Sequence, residues 1–228
     1  MKTGIVFEGG AFRTIFSCGV MDAMLENKIM PDYMIGVSAG AAYGVSMASG
    51  QIGRNLKILI DYRNDKRYLG YRNFLKCKSL FGLDFVFDEI PNKLVPFDMD
   101  TYKKYPGKVL VGVTNAKTGE TEYLDGKELD DKATLLRATC AIPIFFPVIK
   151  INNNEYYDGG LCDPIPVRKA IEDGNKKHLI ILTQPTGYRK ELSKKNVFVS
   201  KMLSNKYPNL KDAFLLLKII SITSYLTL

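Results

Sequence analysis

Apolar positions along the chain change period several times, and each change marks an element. Residues 4–7 form a short β-type run that Glu8 and the Gly9-Gly10 pair bring to an end. From 14 to 27, Ile15, Cys18, Gly19, Met21, Ala23, Met24 and Leu25 recur as on a largely apolar helix, and Pro31-Asp32 then punctuates the chain. Residues 33–37 read as a second strand, and the Ala- and Gly-rich stretch 38–49 reads as a tightly packed helix. Strand, helix, strand, helix in succession predicts a parallel sheet covered by helices.

The rest of the chain continues in the same vein. A helix is expected over 53–62, followed by a loop in which basic and aromatic residues alternate. Residues 108–114 are a strand, 115–119 a turn and 120–124 the returning strand of a hairpin. A helix is expected over 129–140, stopping before Pro143. Strands over 148–151 and 155–157 flank an Asn152-Asn153-Asn154 turn, a helix spans 167–172 and an apolar strand spans 178–183. The remainder reads as helical and basic. The fold class is therefore α/β, with a mainly parallel central sheet and helices on both faces.

Composition narrows the chemistry. With 228 residues, 46% hydrophobic and 25% charged, the chain has the balance of one globular domain with an appendage. His178 is the only histidine, which excludes a histidine-rich metal site. Cys18, Cys77, Cys140 and Cys162 form no C-x-x-C pair, so neither a structural zinc nor any other metal or cofactor is expected. The first apolar stretch is too short for a signal peptide, and a cytoplasmic protein with reduced thiols is the expectation. No apolar run reaches the ~20 residues that span a bilayer. The nearest, 213–228, is interrupted by Lys218 and reads as a buried or interfacial helix.

Three short motifs carry reactive groups. Gly36-Val37-Ser38-Ala39-Gly40 is a G-x-S-x-G sequence between a strand and a helix. That context lifts a serine hydroxyl onto a sharp turn, with small residues at Gly36 and Gly40 admitting the tight backbone. Free N–H groups and the positive end of the following helix face any developing oxyanion. Gly9-Gly10-Ala11-Phe12-Arg13 also joins a strand to a helix, so its N–H groups point into a crevice suited to a phosphate or an oxyanion. The phosphate reading lacks a G-K-[ST] sequence and an acid ending the second strand, and Ser38 in that place favours the oxyanion. Arg13 orients the loop, binds an anionic head group, or is simply solvated. Asp158-Gly159-Gly160 is either an ordinary turn or a turn that exposes a carboxylate.

The order Ser38, Asp158, His178 matches that of an α/β-hydrolase triad. However, only one strand precedes the nucleophile, and His178 begins its strand rather than ending it. If that strand runs parallel to those ending at Ser38 and Asp158, His178 lies some 15 Å away at the opposite edge. The base is then Asp158 itself, in a Ser–Asp dyad, with burial expected to raise its pKa and strengthen it as a base.

Taken in order, Gly-Gly-Ala-Phe-Arg, Gly-Val-Ser-Ala-Gly and Asp-Gly-Gly resemble the patatin-like phospholipases, and 141–147 (Ala-Ile-Pro-Ile-Phe-Phe-Pro) is similar to the stretch before that family's catalytic Asp. The resemblance covers about residues 3–185. It implies a three-layer α/β acyl hydrolase of lipid esters with Ser38 as nucleophile, Asp158 as base, Gly9, Gly10 and Ala11 as the oxyanion hole, and Arg13 as the loop's basic residue. Gly36, Gly40, Gly159 and Gly160 support these groups. Two positions depart from the family's G-x-G-x-x-G loop: Ala11 stands at its third position and Thr14 at its sixth. Ala11 can still donate its N–H provided that φ is negative. The unit boundaries expected are 1–185 for the catalytic domain and 186–228 for a helical extension whose apolar end is truncated or divergent.

Net charge is +8. Arg54, Lys57, Arg63, Lys66, Arg67, Arg72, Lys76 and Lys78 form one basic cluster, and a second follows Arg168. These clusters read as a solvated face or as a peripheral contact with an anionic membrane; no nucleic-acid motif accompanies them, and nucleic acid is not an expected partner. The expected partner is a lipid or acyl-ester substrate. A non-catalytic lipid-binding protein, an acyltransferase using the same acyl-enzyme, and a nucleotide-binding module are the alternatives.

Overall fold

A computed structural model describes residues 2–70, 73, 79, 81–185, 187–188 and 201–211. Its strands are β1 (Thr3–Phe7), β2 (Tyr33–Val37), β3 (Lys108–Asn115), β4 (Thr121–Asp125), β5 (Ile149–Ile151), β6 (Asn154–Asp158) and β7 (Lys177–Ile181). Its α-helices are α1 (Ile15–Glu26), α2 (Ser38–Ala48), α3 (Arg54–Tyr62), α4 (Met99–Lys104), α5 (Thr134–Thr139) and α6 (Val167–Glu172). A π-helical segment, Phe85–Leu94, lies between α3 and α4.

All seven strands join one sheet. β7, β1, β2 and β3 are parallel neighbours in that order. β4 and β6 both run antiparallel to β3, and β5 runs antiparallel to β6. Alternation along the central strands sends side chains to two faces. Ile5, Phe7 and Met34 meet Cys18 and Met21 of α1 and Ala41 and Val45 of α2. Val6, Tyr33, Ile35 and Leu110 meet Val167 and Ala170 of α6 on the other face. The expected three layers are present.

One expectation about direction is overturned. Asp158 does not end a strand parallel to β2. β4 pairs with 110–114 of β3, β2 with 108–112, and β6 with 113–115. A strand has two edges, and the overlapping registers place β4 on one and both β2 and β6 on the other. Along that shared edge β2 runs up to Val37, opposite Gly112, while β6 runs down to Asp158, opposite Val113. Ser38 and Asp158 thus follow or end two strands that meet head to head.

Three local differences have plain causes. The helix expected over 129–140 begins only at Thr134, because the Asp130 carboxylate accepts both the N–H and the hydroxyl of Thr134 (2.7 and 2.6 Å) and Ala133 takes φ +50°. Residues 85–104 carry two helical segments that the pattern reading left unassigned; the first contains Pro91, and Asp98 caps the second through the Thr101 N–H. Arg54 is not part of a solvated basic face. Its guanidinium donates to Pro96 O, Val95 O and Ser46 Oγ, and desolvation lowers its pKa to about 10.

Leu203, Tyr207 and Leu210 join the main core, and the Tyr207 hydroxyl donates to Glu155 at 2.8 Å. Cys77, Arg72, Lys76, Lys78 and the apolar stretch 213–228 lie outside the described residues. Among the described residues, no helix is long and apolar enough to cross a membrane.

Candidate active site

The turn from β2 into α2 is built around Ser38, which takes φ +53° immediately after the extended Val37. Such a conformation at a non-glycine residue is strained by roughly 1–3 kcal/mol and persists only when its surroundings hold it. Here the Ser38 N–H donates to Thr139 Oγ1 at 2.8 Å, and that hydroxyl donates to Gly112 O at 2.6 Å. Close approach supplies the rest. A Cβ on Gly36 would lie 2.8 Å from Ala41 N, and one on Gly40 would lie 2.6 Å from the Glu8 carbonyl oxygen. Both are backbone atoms, so α2 can start against β1 and β2 only with glycine at these positions.

Asp158 is buried, at 4% exposure. Its N–H donates to Ala141 O at 2.9 Å and its carbonyl accepts the Thr114 hydroxyl at 2.9 Å. Its carboxylate accepts the Gly160 N–H at 2.7 Å, which fixes the side chain over the turn. A Cβ on Gly159 would lie 2.2 Å from Gly112 O. Gly112 therefore anchors both halves: its carbonyl accepts Thr139, which holds Ser38, and it receives the turn behind Asp158. Cys140 sits against both groups. Burial first, then the Asp158 charge, push its thiol well above the ordinary range, while the Ser38 hydroxyl acts in the opposite direction. It stays a protonated thiol.

The glycine loop closes over the same point. A Cβ on Gly9 would lie 3.1 Å from Ser38 Cβ, and one on Gly10 only 2.6 Å from Thr183 Oγ1. Among the described residues, the N–H groups of Gly9, Gly10 and Ala11 donate no backbone hydrogen bond. Those of Gly9 and Gly10 are available as donors. The condition of negative φ at Ala11 is not met: φ is +48°, the left-handed region that favours glycine. The other departure offsets this one. Thr14 is fully buried and its hydroxyl donates to the Ala11 carbonyl, tying the strained residue into the start of α1. On the opposite side the Glu8 carboxylate accepts the Thr183 N–H, and the Thr183 hydroxyl donates to Gly9 O at 3.0 Å.

Two unlike spaces meet at Ser38. An open cleft of about 400 Å³ is lined by Glu8, the 9–11 loop, Arg13, Ser38, Asp158 and Gly160. Arg13 is exposed at its rim. Behind Ser38, and sharing Ala11 and Ile142 with the cleft, is an apolar cavity of about 70 Å³ walled by aromatic residues, among them Phe12, Phe81 and Phe146. A hydroxyl at such a boundary can attack a carbonyl whose two substituents differ in polarity.

His178 is not brought to this point. It pairs with Gly4, which pairs with Tyr33, five residues below Ser38 along β2. At about 3.3 Å per residue the separation is roughly 15 Å, at the opposite edge of the sheet. Among the described residues, no cluster of three or more His, Cys, Asp or Glu could hold a metal ion. Four supporting residues escaped the sequence reading: Glu8, Thr139, Cys140 and Thr183. Glu8 precedes the glycine loop, and Thr139-Cys140 precede the 141–147 stretch, so adjacency was a usable signal for three. Thr183 had none.

Residues 5–171 match the family model for the patatin-like phospholipases. The chain is 27% identical over 199 residues to protein YjjU of Escherichia coli, covering 81% of this chain and 53% of that one. It is 26% identical over 191 residues to the "Probable lipid hydrolase 463L" of Invertebrate iridescent virus 6, covering 76% of this chain and 65% of the viral one. Among solved structures the fold is similar to VipD from Legionella pneumophila, with a TM-score of 0.55 at 15% identity over 99% of this chain and 58% of VipD. The chain thus spans between about half and two thirds of these proteins' lengths.

Proposed function

The chain belongs to the patatin-like phospholipase family, and we propose that it is a serine acyl hydrolase of lipid carboxylic esters working through a Ser38–Asp158 dyad. The observation that carries this reading is the convergence of Ser38, Asp158 and the 9–11 loop on one cleft. Ser38 Oγ attacks the ester carbonyl and passes its proton to Asp158. The N–H groups of Gly9 and Gly10 hold the oxyanion; one such donor is worth about 2.7–4 kcal/mol of barrier. Collapse breaks the ester C–O bond, and the alcohol leaves with the proton from Asp158. Asp158 then takes a proton from the water that attacks the acyl-enzyme, and returns it to Ser38 Oγ as the acyl C–O bond breaks and the fatty acid is released.

The acyl group occupies the apolar cavity behind Ser38, and the alcohol lies in the open cleft near Arg13. Beside Arg13, Ile15 and Phe16 are 41% and 62% exposed. A cation with exposed apolar side chains close by in sequence suits contact with an anionic lipid surface. The catalytic unit is residues 1–185.

Ester hydrolysis by wild type, Ser38→Ala and Asp158→Ala tests the dyad. Each substitution is expected to lower kcat by roughly a thousandfold or more. A fluorophosphonate probe should label the wild type and not Ser38→Ala. Folded wild type that neither labels nor hydrolyses would instead favour a non-catalytic lipid binder. Co-sedimentation with vesicles tests the surface contact: equal binding to anionic and neutral lipid removes it.

A further inference from the structure

We propose that Tyr43 and Tyr68 set the length of the acyl chain that this enzyme accepts. The proposal rests on Ser38 being the nucleophile and deepens that reading.

The small cavity behind Ser38 does not end blindly. It shares Ala39, Tyr43, Tyr68, Val86, Phe87 and Cys140 with a second apolar cavity of about 180 Å³ that lies further from Ser38. Those six residues form the neck between the two. Tyr43 and Tyr68 are the two that carry hydroxyls, and both are buried, at 8% and 7% exposure. Both line the small cavity as well as the larger one. Burial is the main cause that raises both pKa values, Tyr68 to about 12; Tyr68 adds to the rise at Tyr43, while Tyr43 acts against the rise at Tyr68.

The rings come from opposite walls. Tyr43 lies on α2, five residues after Ser38, where its carbonyl accepts Asn55 Nδ2 at 3.1 Å. Tyr68 follows α3 and is wedged between Phe12 and Phe81, with ring centroids 5.6 and 6.2 Å away. Its carbonyl accepts the Gly82 N–H at 3.1 Å. The Tyr68 ring cannot swing aside without breaking this packing.

A short acyl chain fills the first cavity and stops at the neck. A longer chain must part the two phenols and leave buried hydroxyls facing methylene groups, which is unfavourable. The arrangement therefore selects short acyl groups, although apolar space for longer ones exists beyond the neck. Opening the neck should admit longer chains, each additional buried methylene raising kcat/KM about fourfold.

The test is the ratio of kcat/KM for dodecanoyl and butanoyl p-nitrophenyl esters, together with fluorophosphonate labelling of Ser38. The ratio is insensitive to the fraction of active protein. Wild type should favour butanoyl, and Tyr68→Ala should raise the dodecanoyl-to-butanoyl ratio by about tenfold or more. Tyr43→Phe and Tyr68→Phe remove one hydroxyl with little change of shape, and should move the ratio the same way by a smaller factor. They carry the test if Tyr68→Ala does not fold. A wild type that labels and hydrolyses but prefers dodecanoyl overturns the proposal, as does a ratio unchanged in the variants. Absence of both labelling and hydrolysis in the wild type overturns the ester-hydrolase reading, and this proposal with it.

Discussion

Ala11→Gly replaces the one loop residue whose side chain conflicts with its backbone. Ala11 takes φ +48° in a loop that otherwise begins with two glycines. A left-handed backbone costs an L-residue roughly 1–2 kcal/mol, and glycine removes that cost. Against this, glycine adds about 0.4–1 kcal/mol of chain entropy to the unfolded state. Ala11 is exposed, so its methyl contributes little burial. The net expectation is a gain of about 1 kcal/mol, a rise in Tm of about 2–4 °C for a chain of this size. Thr14→Val is the counterpart. It keeps the shape but removes the hydroxyl that holds the Ala11 carbonyl, and should lose about 1–3 kcal/mol. Both are read from thermal or denaturant unfolding monitored by circular dichroism. A lower Tm for Ala11→Gly, or a neutral Thr14→Val, would refute the account of a strained loop anchored from within.

Three further outcomes are expected. Thr139→Val strips the partner from the buried Ser38 N–H and should lower stability by about 1–3 kcal/mol, with a parallel fall in kcat, measured by unfolding and ester hydrolysis. His178→Ala should retain near-wild-type kcat/KM; a collapse would contradict the dyad and point to a triad. Burial pushes the Asp173 carboxyl up, but hydrogen bonds from Lys169, Lys108 and Tyr33 outweigh it and hold it below 3.8. A depressed folded value contributes stability above the unfolded value and loses it as pH falls through the folded one. Asp173→Asn should therefore be less stable than wild type at neutral pH, and the difference should close as pH drops below about 4, followed by urea midpoints across that range.

Local pattern alone was enough for the strands 33–37 and 108–114, the helix 167–172 and the serine turn, because each is specified by side-chain period and by small residues within a few positions of one another. The same holds for Ser38, Asp158 and the glycine loop as separate candidate groups. What period cannot encode is direction. A short strand such as 154–158 reads the same whether it lies parallel or antiparallel to its neighbour, so the sequence could say that Asp158 follows a strand but not that the strand comes from the opposite side. Register on β3 settles that: Val37 stops opposite Gly112 and Asp158 opposite Val113, on one edge. Partners far apart in sequence were equally invisible. Thr139 reaches Ser38 across 101 residues and Thr183 reaches Gly9 across 174. The candidate groups were legible because their motifs are local; their convergence was not, because strand pairing and these distant hydrogen bonds are made only when the chain folds on itself.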